Sequence, residues 1–299
     1  MLCGLKEVKP CVFLPLSVEI VVDIHLVINS SSKWQLANPL QPGNFHNILW
    51  MNADPRPGNS AANLSNMKQI FPSFATEIDV NAAYRTERLA HSGRPWVMAN
   101  MVSSLDGAGN FEGKSGPLSS PKDREIFHFL RSLADIVLIG AATVKVENYG
   151  PTKNANGPAI AVVSNQLSFD WNSPLFTENS VRPFIITCEK ADPALRTKAS
   201  QFAEVLVTGD QHVDLSSALK ELALRDKKVV LCEGGPTLLG QLVEENLLDE
   251  LCLTLSPILV GDQGHSIIKS KSFEPRSAQP VTIMEDQGSL FMRYLIEPS

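Results

Sequence analysis

The sequence predicts an α/β fold with a mostly parallel central sheet, flanking helices and an antiparallel C-terminal hairpin. Three observations predict it. Short apolar runs such as 135–140 and 228–232 have the length and composition of strands buried on both faces. From Arg94 onward, such runs alternate with helical segments, which indicates parallel strands covered by helices. The turn Asp286-Gln287-Gly288 joins the last two strand segments, and it predicts a hairpin at the edge of the sheet.

Local signals place the individual elements. Residues 77–90 predict a short leading helix, and residues 96–102 predict the first strand. A helix over 122–133 is indicated by the preceding serines, by Pro121 near its start and by acidic residues in its first turn. The other segments follow the same alternation: strands at 135–140, 158–164, 183–188, 204–207, 228–232, 249–256, 281–286 and 289–296, and helices at 141–147, 192–202, 213–225 and 236–246.

The first part of the chain differs from the rest in composition. Residues 1–76 are predicted to be an N-terminal extension that is largely irregular, followed by one domain over 77–299. Residues 29–66 are rich in Asn, Ser, Pro and Gly, which is typical of loops. The apolar stretch 11–28 is too short and too charged for a membrane span. Met51 and Met67 suggest the hypothesis that the stretch before one of them is an over-extended translation start.

Charge and cysteine usage exclude several classes of function. The net charge of −6 argues against nucleic-acid binding, which requires a basic face, and it means that an anionic ligand must be held by local groups. The five cysteines form no Cys-x-x-Cys pair. Cys188, Cys232 and Cys252 are predicted to be buried thiols of a reducing compartment, here the cytoplasm. No zinc-deaminase signature occurs and no histidines have metal-ligand spacing, so no metal site is predicted.

The strongest binding motif is a buried strand, a diglycine and a helix start at 229–239. Gly234 and Gly235 allow a ligand to approach the main chain, and Pro236 suits the first helical position. Free N–H groups and the helix dipole then favour an anion such as a phosphate. An ordinary strand-to-helix turn is the alternative, because short glycine motifs give many false positives.

Three further strand ends carry polar residues where ligands bind in open α/β sheets. Asp106 follows the first strand and is either a turn residue or a candidate acid. Thr143, in Gly140-Ala141-Ala142-Thr143-Val144, is either a cap or a hydroxyl donor to a phosphate. Ser164 and Asn165 are neutral and would tolerate a ribose 2′-phosphate. The glycine-rich stretch 107–116 is not a P-loop, because Ala108 replaces its first glycine and Gly116-Pro117 replaces its helix start. It is instead a loop that could close over a ligand.

Together these motifs resemble the RibD C-terminal, dihydrofolate-reductase-like family of pyrimidine reductases in riboflavin biosynthesis. The resemblance runs from about Arg94 to the C-terminus and is strongest to the stand-alone reductases that lack the deaminase domain. The residues that carry it are 100–107, 113–116, 120–123, Leu130-Arg131, Asp135, 140–144 and 233–238.

The resemblance implies a dihydrofolate-reductase-like α/β domain that binds NADPH, reduces a ribosylamino-pyrimidine phosphate and forms a homodimer. It implies cofactor contacts at Thr143, Glu147 and Ser164, and at the pyrophosphate-binding turn Gly234, Gly235, Pro236, Thr237 and Leu238. It also implies substrate contacts at Ser115, Arg131 and Glu233. Asp106 is the candidate for orienting or protonating the substrate.

Two departures from the family pattern keep alternatives open. Asn100 stands where the family often has lysine, and Glu147-Asn148-Tyr149-Gly150-Pro151 replaces an acidic, proline-containing run. Both weaken the expectation of a phosphorylated sugar substrate, and Arg131 would then carry more of the phosphate binding through bidentate pairing. A reductase of a pterin such as dihydrofolate, or a nucleotide-binding protein without turnover, are the alternative functions.

Overall fold

The computed structural model describes residues 67–76, 78–270 and 274–297. The helices of this part are α1 Val80–Tyr84, α2 Pro121–Leu133, α3 Ala141–Val146, α4 Pro174–Thr177, α5 Pro193–Phe202, α6 Leu215–Ala223 and α7 Pro236–Glu244. Its strands are β1 Lys68–Phe71, β2 Ala75–Thr76, β3 Trp96–Ser103, β4 Ile136–Gly140, β5 Ala159–Val163, β6 Phe184–Thr187, β7 Glu204–Val207, β8 Val229–Cys232, β9 Glu250–Leu255, β10 Ala278–Asp286 and β11 Ser289–Ile296. Short 3₁₀ turns lie at Gly116–Leu118 and Gly261–Gln263.

Within the described residues, these strands form one mixed sheet in the order β2-β1-β10-β11-β9-β3-β8-β4-β5-β6-β7. From β9 to β7 in this order, each strand runs parallel to the next. On the other side of β9 the pairing is antiparallel, and β10 and β11 form the C-terminal hairpin. The predicted α/β architecture, with a mostly parallel sheet and an antiparallel hairpin, is therefore confirmed.

Helices cover the parallel part on both faces, because successive strand residues point to opposite sides. Ala99, Leu138 and Cys232 pack under α6 and α7. The neighbouring residues Met98 and Leu231 face the other side, where they pack with α1 and α2. The predicted buried thiols Cys188, Cys232 and Cys252 are all free and buried, and burial raises the pKa of Cys232 to about 12.

The main difference from the prediction lies at the start of the described chain. The C-terminal hairpin is not at the edge of the sheet, because β1 pairs with β10 and β2 pairs with β1. Met67 is fully buried in the core that Met98 and Leu231 form with α1 and α2. Met67 and strands β1 and β2 thus belong to the folded domain although they lie before the predicted boundary at 77, while the interpretation of residues 1–66 lies outside the described residues.

A buried ionic cluster holds the segment after α1 to the sheet. Glu250 is completely buried, and its two carboxylate oxygens accept hydrogen bonds from Arg88 at 2.7 and 2.9 Å and from Arg293 at 2.7 Å. Burial disfavours the charged carboxylate, but the bonds from the two arginines outweigh this cost and lower the pKa of Glu250. Since Glu250 is the first residue of β9, the cluster lies at the amino end of the parallel strands.

Candidate active site

The carboxyl ends of four adjacent parallel strands bring most of the predicted site residues to one edge of the sheet. In spatial order these strands are β3, β8, β4 and β5, and their last residues are Ser103, Cys232, Gly140 and Val163. Each is followed directly by a stretch that the sequence analysis singled out. This edge is where open α/β sheets bind their ligands.

The diglycine turn after β8 packs tightly against the start of α3. The N–H of Gly140 donates to the carbonyl oxygen of Gly234 at 2.8 Å. Gly234 has a φ of +84°, a conformation that favours glycine, and its peptide bond to Gly235 is cis. A Cβ atom on Gly235 would lie 2.5 Å from Thr143 Oγ1, so no side chain fits there while Thr143 keeps its position. Two predicted cofactor residues on different elements are therefore in direct contact.

Helix α7 begins with N–H groups that no side chain caps. Its N-cap is Gly235 and its first residue is Pro236, so the N–H groups that the first turn offers are those of Thr237 and Leu238. The nine-residue helix places the positive end of its dipole at the same point. Uncapped N–H groups at a helix start can bind an anion such as a pyrophosphate.

Glu147 joins the loop after β3 to the end of α3. It is the C-cap residue of α3, and its Oε1 accepts a hydrogen bond from the backbone N–H of Ser115 at 2.9 Å. Ser115 directly precedes the 3₁₀ turn Gly116–Leu118. The loop is therefore fixed to the helix that carries Thr143.

Arg131 and Glu233 form a bidentate ion pair across 102 residues of sequence. Arg131 lies on α2, and its Nε and Nη2 donate to Glu233 Oε1 and Oε2 at 2.7 and 2.8 Å. The Glu233 side chain is 4% exposed and that of Arg131 is 25% exposed. Burial disfavours the charged guanidinium, but the hydrogen bond and charge of Glu233 outweigh it and raise the pKa of Arg131. Glu233 therefore occupies the Nε–Nη2 edge of the guanidinium, and a phosphate contact of Arg131 stays a prediction.

Tyr149 is the site residue that the sequence analysis did not assign. Its hydroxyl accepts a hydrogen bond from Arg131 Nη2 and donates one to Glu233 Oε2. Burial and the neighbouring Glu233 charge raise the pKa of Tyr149, so the phenol remains protonated. The only sequence signal was its position in the stretch 147–151, which departs from the family pattern.

Asp106 holds a neighbouring loop. Its carboxylate accepts hydrogen bonds from Ser104 Oγ at 2.5 Å and from the N–H groups of Val260 and Gly261 at 3.2 and 2.7 Å. These bonds, with that of Ser104 first, lower the pKa of Asp106 to about 2. An acid that is ionised at neutral pH is unsuited to protonate a substrate, so the geometry favours the turn interpretation.

Ser164 lies just beyond β5 and caps its own turn. The buried hydroxyl accepts a hydrogen bond from the N–H of Leu167 at 3.0 Å, which leaves its own proton free to donate. The next residue, Asn165, accepts a hydrogen bond from the N–H of Val213 at 2.9 Å and so ties this turn to the segment before α6. Neither Ser164 nor Asp106 hydrogen-bonds to the pairs described above.

Within the described ranges, no group of three or more His, Cys, Asp or Glu side chains could hold a metal ion. In the same part of the chain, no helix has the length and apolar composition needed to cross a membrane.

Comparisons with known proteins show the family of this chain. The family model described as the RibD C-terminal domain matches residues 95–287, a range that includes every candidate site residue. The chain is 28% identical over 182 residues to the 2,5-diamino-6-ribosylamino-4(3H)-pyrimidinone 5′-phosphate reductase of Archaeoglobus fulgidus, covering 56% of this chain and 83% of that protein. It is 22% identical to the riboflavin biosynthesis protein RibD of Escherichia coli, covering 63% of this chain and 55% of that protein.

Solved structures show the same fold. A pyrimidine reductase-like protein from Corynebacterium diphtheriae superposes with a TM-score of 0.62 at 24% identity, covering 69% of this chain and 93% of that one. A deaminase/5-amino-6-(5-phosphoribosylamino)uracil reductase from Thermotoga maritima superposes with a TM-score of 0.54 at 22% identity, and 58% of that chain is covered.

Proposed function

The chain belongs to the RibD C-terminal domain family, and from this membership we propose that it is an NADPH-dependent reductase of the ribosylamino-pyrimidine phosphate of riboflavin biosynthesis. The observation that carries the proposal is that the matched range includes every candidate site residue, most of which follow the carboxyl ends of β3, β8, β4 and β5. Proteins named as pyrimidine reductases are 28% and 29% identical to this chain over 56% of its length.

The turn after β8 fits the pyrophosphate of NADPH. Gly235 has no room for a side chain beside Thr143, and the N–H groups of Thr237 and Leu238 are uncapped. Near the adenosine ribose, Ser164 and Asn165 are neutral, so they would accept a 2′-phosphate that an acid would repel. When bound, the cofactor supplies a hydride, which reduces the ribosyl group to an open ribityl chain.

The chain's own residues bind and orient the substrate. Arg131 and Glu233 hold each other rigidly and offer it their remaining hydrogen-bonding positions. Glu147 fixes the loop that carries Ser115 beside the site. Asp106 acts as a positioning residue of the loop after β3, because its carboxylate is already bound by the segment at Val260 and Gly261. A homodimer in the cytoplasm, which the family resemblance implies, stays a prediction.

The first experiment measures NADPH and NADH binding to the full chain by fluorescence. The wild type is compared with Gly235→Asp, which adds bulk and negative charge at the proposed pyrophosphate site. Ala194→Asp, on the exposed first turn of α5, is the control for added charge. The proposal requires that the wild type prefers NADPH and that only Gly235→Asp loses it. A folded wild type that binds neither nucleotide would exclude a reductase.

Turnover then separates the candidate functions. NADPH oxidation is followed at 340 nm with the ribosylamino-pyrimidine phosphate and, separately, with dihydrofolate. A pterin substrate is favoured by the two departures from the family pattern, at Asn100 and at residues 147–151. Oxidation with dihydrofolate alone would support the pterin reductase, and tight NADPH binding without oxidation would support a nucleotide-binding protein.

A further inference from the structure

The proposed pyrophosphate site has no cation on the elements that form it. The segment 229–246, which contains β8, the diglycine turn and α7, includes no lysine or arginine. The basic residue of α3 is Lys145 in its last turn, and its ammonium donates to Ser168 Oγ at 3.5 Å. Arg131 is bound to Glu233. Because the net charge of −6 gives the protein no general attraction for an anion, a cation from another part of the fold would strengthen pyrophosphate binding.

The fold brings one lysine to the first turn of α7. The backbone N–H of Lys269 donates to the carbonyl oxygen of Pro236, the first residue of the helix, at 3.0 Å. One turn further along, a Cβ atom on Gly240 would lie 2.4 Å from the carbonyl oxygen of Lys269, so the two backbones are in close contact. The hydroxyl of Ser270 donates to Glu244 at the end of the helix. The segment that carries Lys269 is therefore fixed along α7.

The ammonium of Lys269 is available to a ligand. Lys269 is exposed, and within the described part of the chain its side chain has no hydrogen-bond or ion-pair partner. The preceding residue, Ile268, packs against the core under α6 and α7. A lysine ends in a compact charge on a flexible four-carbon stem. From a backbone that contacts Pro236, this charge can reach an anion at the N–H groups of Thr237 and Leu238.

We propose that Lys269 binds the cofactor's pyrophosphate together with the first turn of α7, and supplies the positive charge that the strand, the turn and the helix lack. This rests on the proposed function, which places NADPH at this turn. The main-chain N–H groups orient the anion, and the ammonium attracts it. The binding residue lies on the segment between β9 and β10, outside the motif at 229–239 that the sequence analysis recognised.

The test measures the Kd of NADPH by fluorescence for the wild type, Lys269→Gln and Lys269→Arg. Glutamine removes the charge, and arginine keeps it. Competition by 2′-AMP, which has the adenosine 2′-phosphate but no pyrophosphate, is measured for each protein. Lys198→Gln is the matched control, because Lys198 is another exposed lysine and lies on α5, beside the edge strand β7.

The expected result is that of losing one exposed charge contact. Lys269→Gln should raise the Kd of NADPH about three- to tenfold at low ionic strength. Salt screens such a contact, so the difference from the wild type should shrink as KCl is raised to about 0.5 M. Lys269→Arg and Lys198→Gln should stay within about twofold of the wild type. The affinity for 2′-AMP and the denaturation midpoint should not change in Lys269→Gln.

Three outcomes would overturn the inference and leave the proposed function intact. An unchanged Kd of NADPH in Lys269→Gln would mean that the ammonium does not bind the cofactor. Equal weakening of NADPH and 2′-AMP would mean that it contacts the adenosine end. The same loss in Lys269→Gln and Lys269→Arg, with a lower denaturation midpoint in both, would show a structural role. A folded wild type that binds no NADPH would instead refute the proposed function, and the inference with it.

Discussion

Gly235 and Thr143 are in contact, and the hydroxyl of Thr143 occupies the space that any side chain at 235 would need. The φ of Gly235 is −74°, which every residue can adopt, so the requirement for glycine is steric. The two residues follow different strands, β8 and β4, which are neighbours in the sheet. The contact therefore links the packing of the sheet edge to the shape of the proposed cofactor site.

We predict that Gly235→Ala destabilises the protein by about 1–3 kcal/mol, because the added methyl group would lie 2.5 Å from Thr143 Oγ1. The affinity of Gly235→Ala for NADPH should also be lower than that of the wild type. Thr143→Ala removes the atom that clashes, so the cost of Gly235→Ala in that background should fall by at least about half. Chemical denaturation of the four proteins of this cycle measures the coupling.

Thr143→Ser is the control for this cycle, since serine keeps the hydroxyl oxygen. It should not reduce the cost of Gly235→Ala. Equal costs in all three backgrounds would show that the contact at Thr143 does not explain the glycine.

We predict that Glu147→Ala loosens the loop around Ser115. The backbone N–H of Ser115 donates to Glu147 Oε1 at 2.9 Å and would lose its acceptor. Hydrogen exchange of the 113–116 peptide should become roughly tenfold faster, as expected when about one hydrogen bond is lost. KM for the pyrimidine should rise while kcat changes less.

Glu147→Gln is the matched control, because its amide oxygen can still accept from Ser115. Its exchange rate should stay near that of the wild type. Fast exchange in both variants would mean that the charge of Glu147, and not the hydrogen bond, holds the loop.

We predict a stability contribution from Asp106 that disappears in acid. Its hydrogen bonds lower its pKa from 3.8 to about 2 in the folded protein. A folded pKa below the unfolded value means that the contribution is complete above about pH 4 and is lost as the pH falls through about 2. Asp106→Asn should therefore unfold at lower denaturant concentration than the wild type at pH 7, and the difference should shrink between pH 4 and pH 2.

Asp262→Asn is the control for removing a nearby charge, since Asp262 is exposed in the adjacent 3₁₀ turn. Its difference from the wild type should be small throughout this range. If Asp106→Asn lost the same stability at every pH, ionisation of the Asp106 carboxyl would not be the cause.

The sequence predicted those features that depend on local signals. Helix α2 was expected at 122–133 and is found at Pro121–Leu133, because a serine cap and a helix-starting proline act on neighbouring residues. Strands β1 and β2 were not predicted, since they have only four and two residues. Strand β1 pairs with β10, more than 200 residues away in sequence, and β2 pairs with β1. Such pairing leaves no periodic pattern in a short segment.

The candidate site likewise combines a local motif with contacts between segments that are distant in sequence. The turn at Gly234 and Gly235 is a local motif, and so was recognisable from the chain alone. The contact of Tyr149 with Glu233 spans 84 residues and depends on the neighbouring positions of β4 and β8 in the sheet. Only the folded structure shows that Nε and Nη2 of Arg131 bind Glu233, 102 residues away in sequence.

We predict that Glu250→Gln strongly destabilises the fold and leaves NADPH affinity unchanged. The substitution would leave Arg88 and Arg293 as buried cations without a carboxylate, and breaking such a cluster typically costs about 3–5 kcal/mol. The cluster lies at the amino end of β9, whereas the candidate site lies at the carboxyl ends of the parallel strands, so nucleotide binding by the remaining folded protein should be normal. Glu189→Gln is the control, because Glu189 pairs with Arg196 on the surface and its loss should cost at most about 1 kcal/mol. Equal denaturation midpoints for the two variants would show that burial of the Glu250 cluster adds nothing to the stability of the sheet.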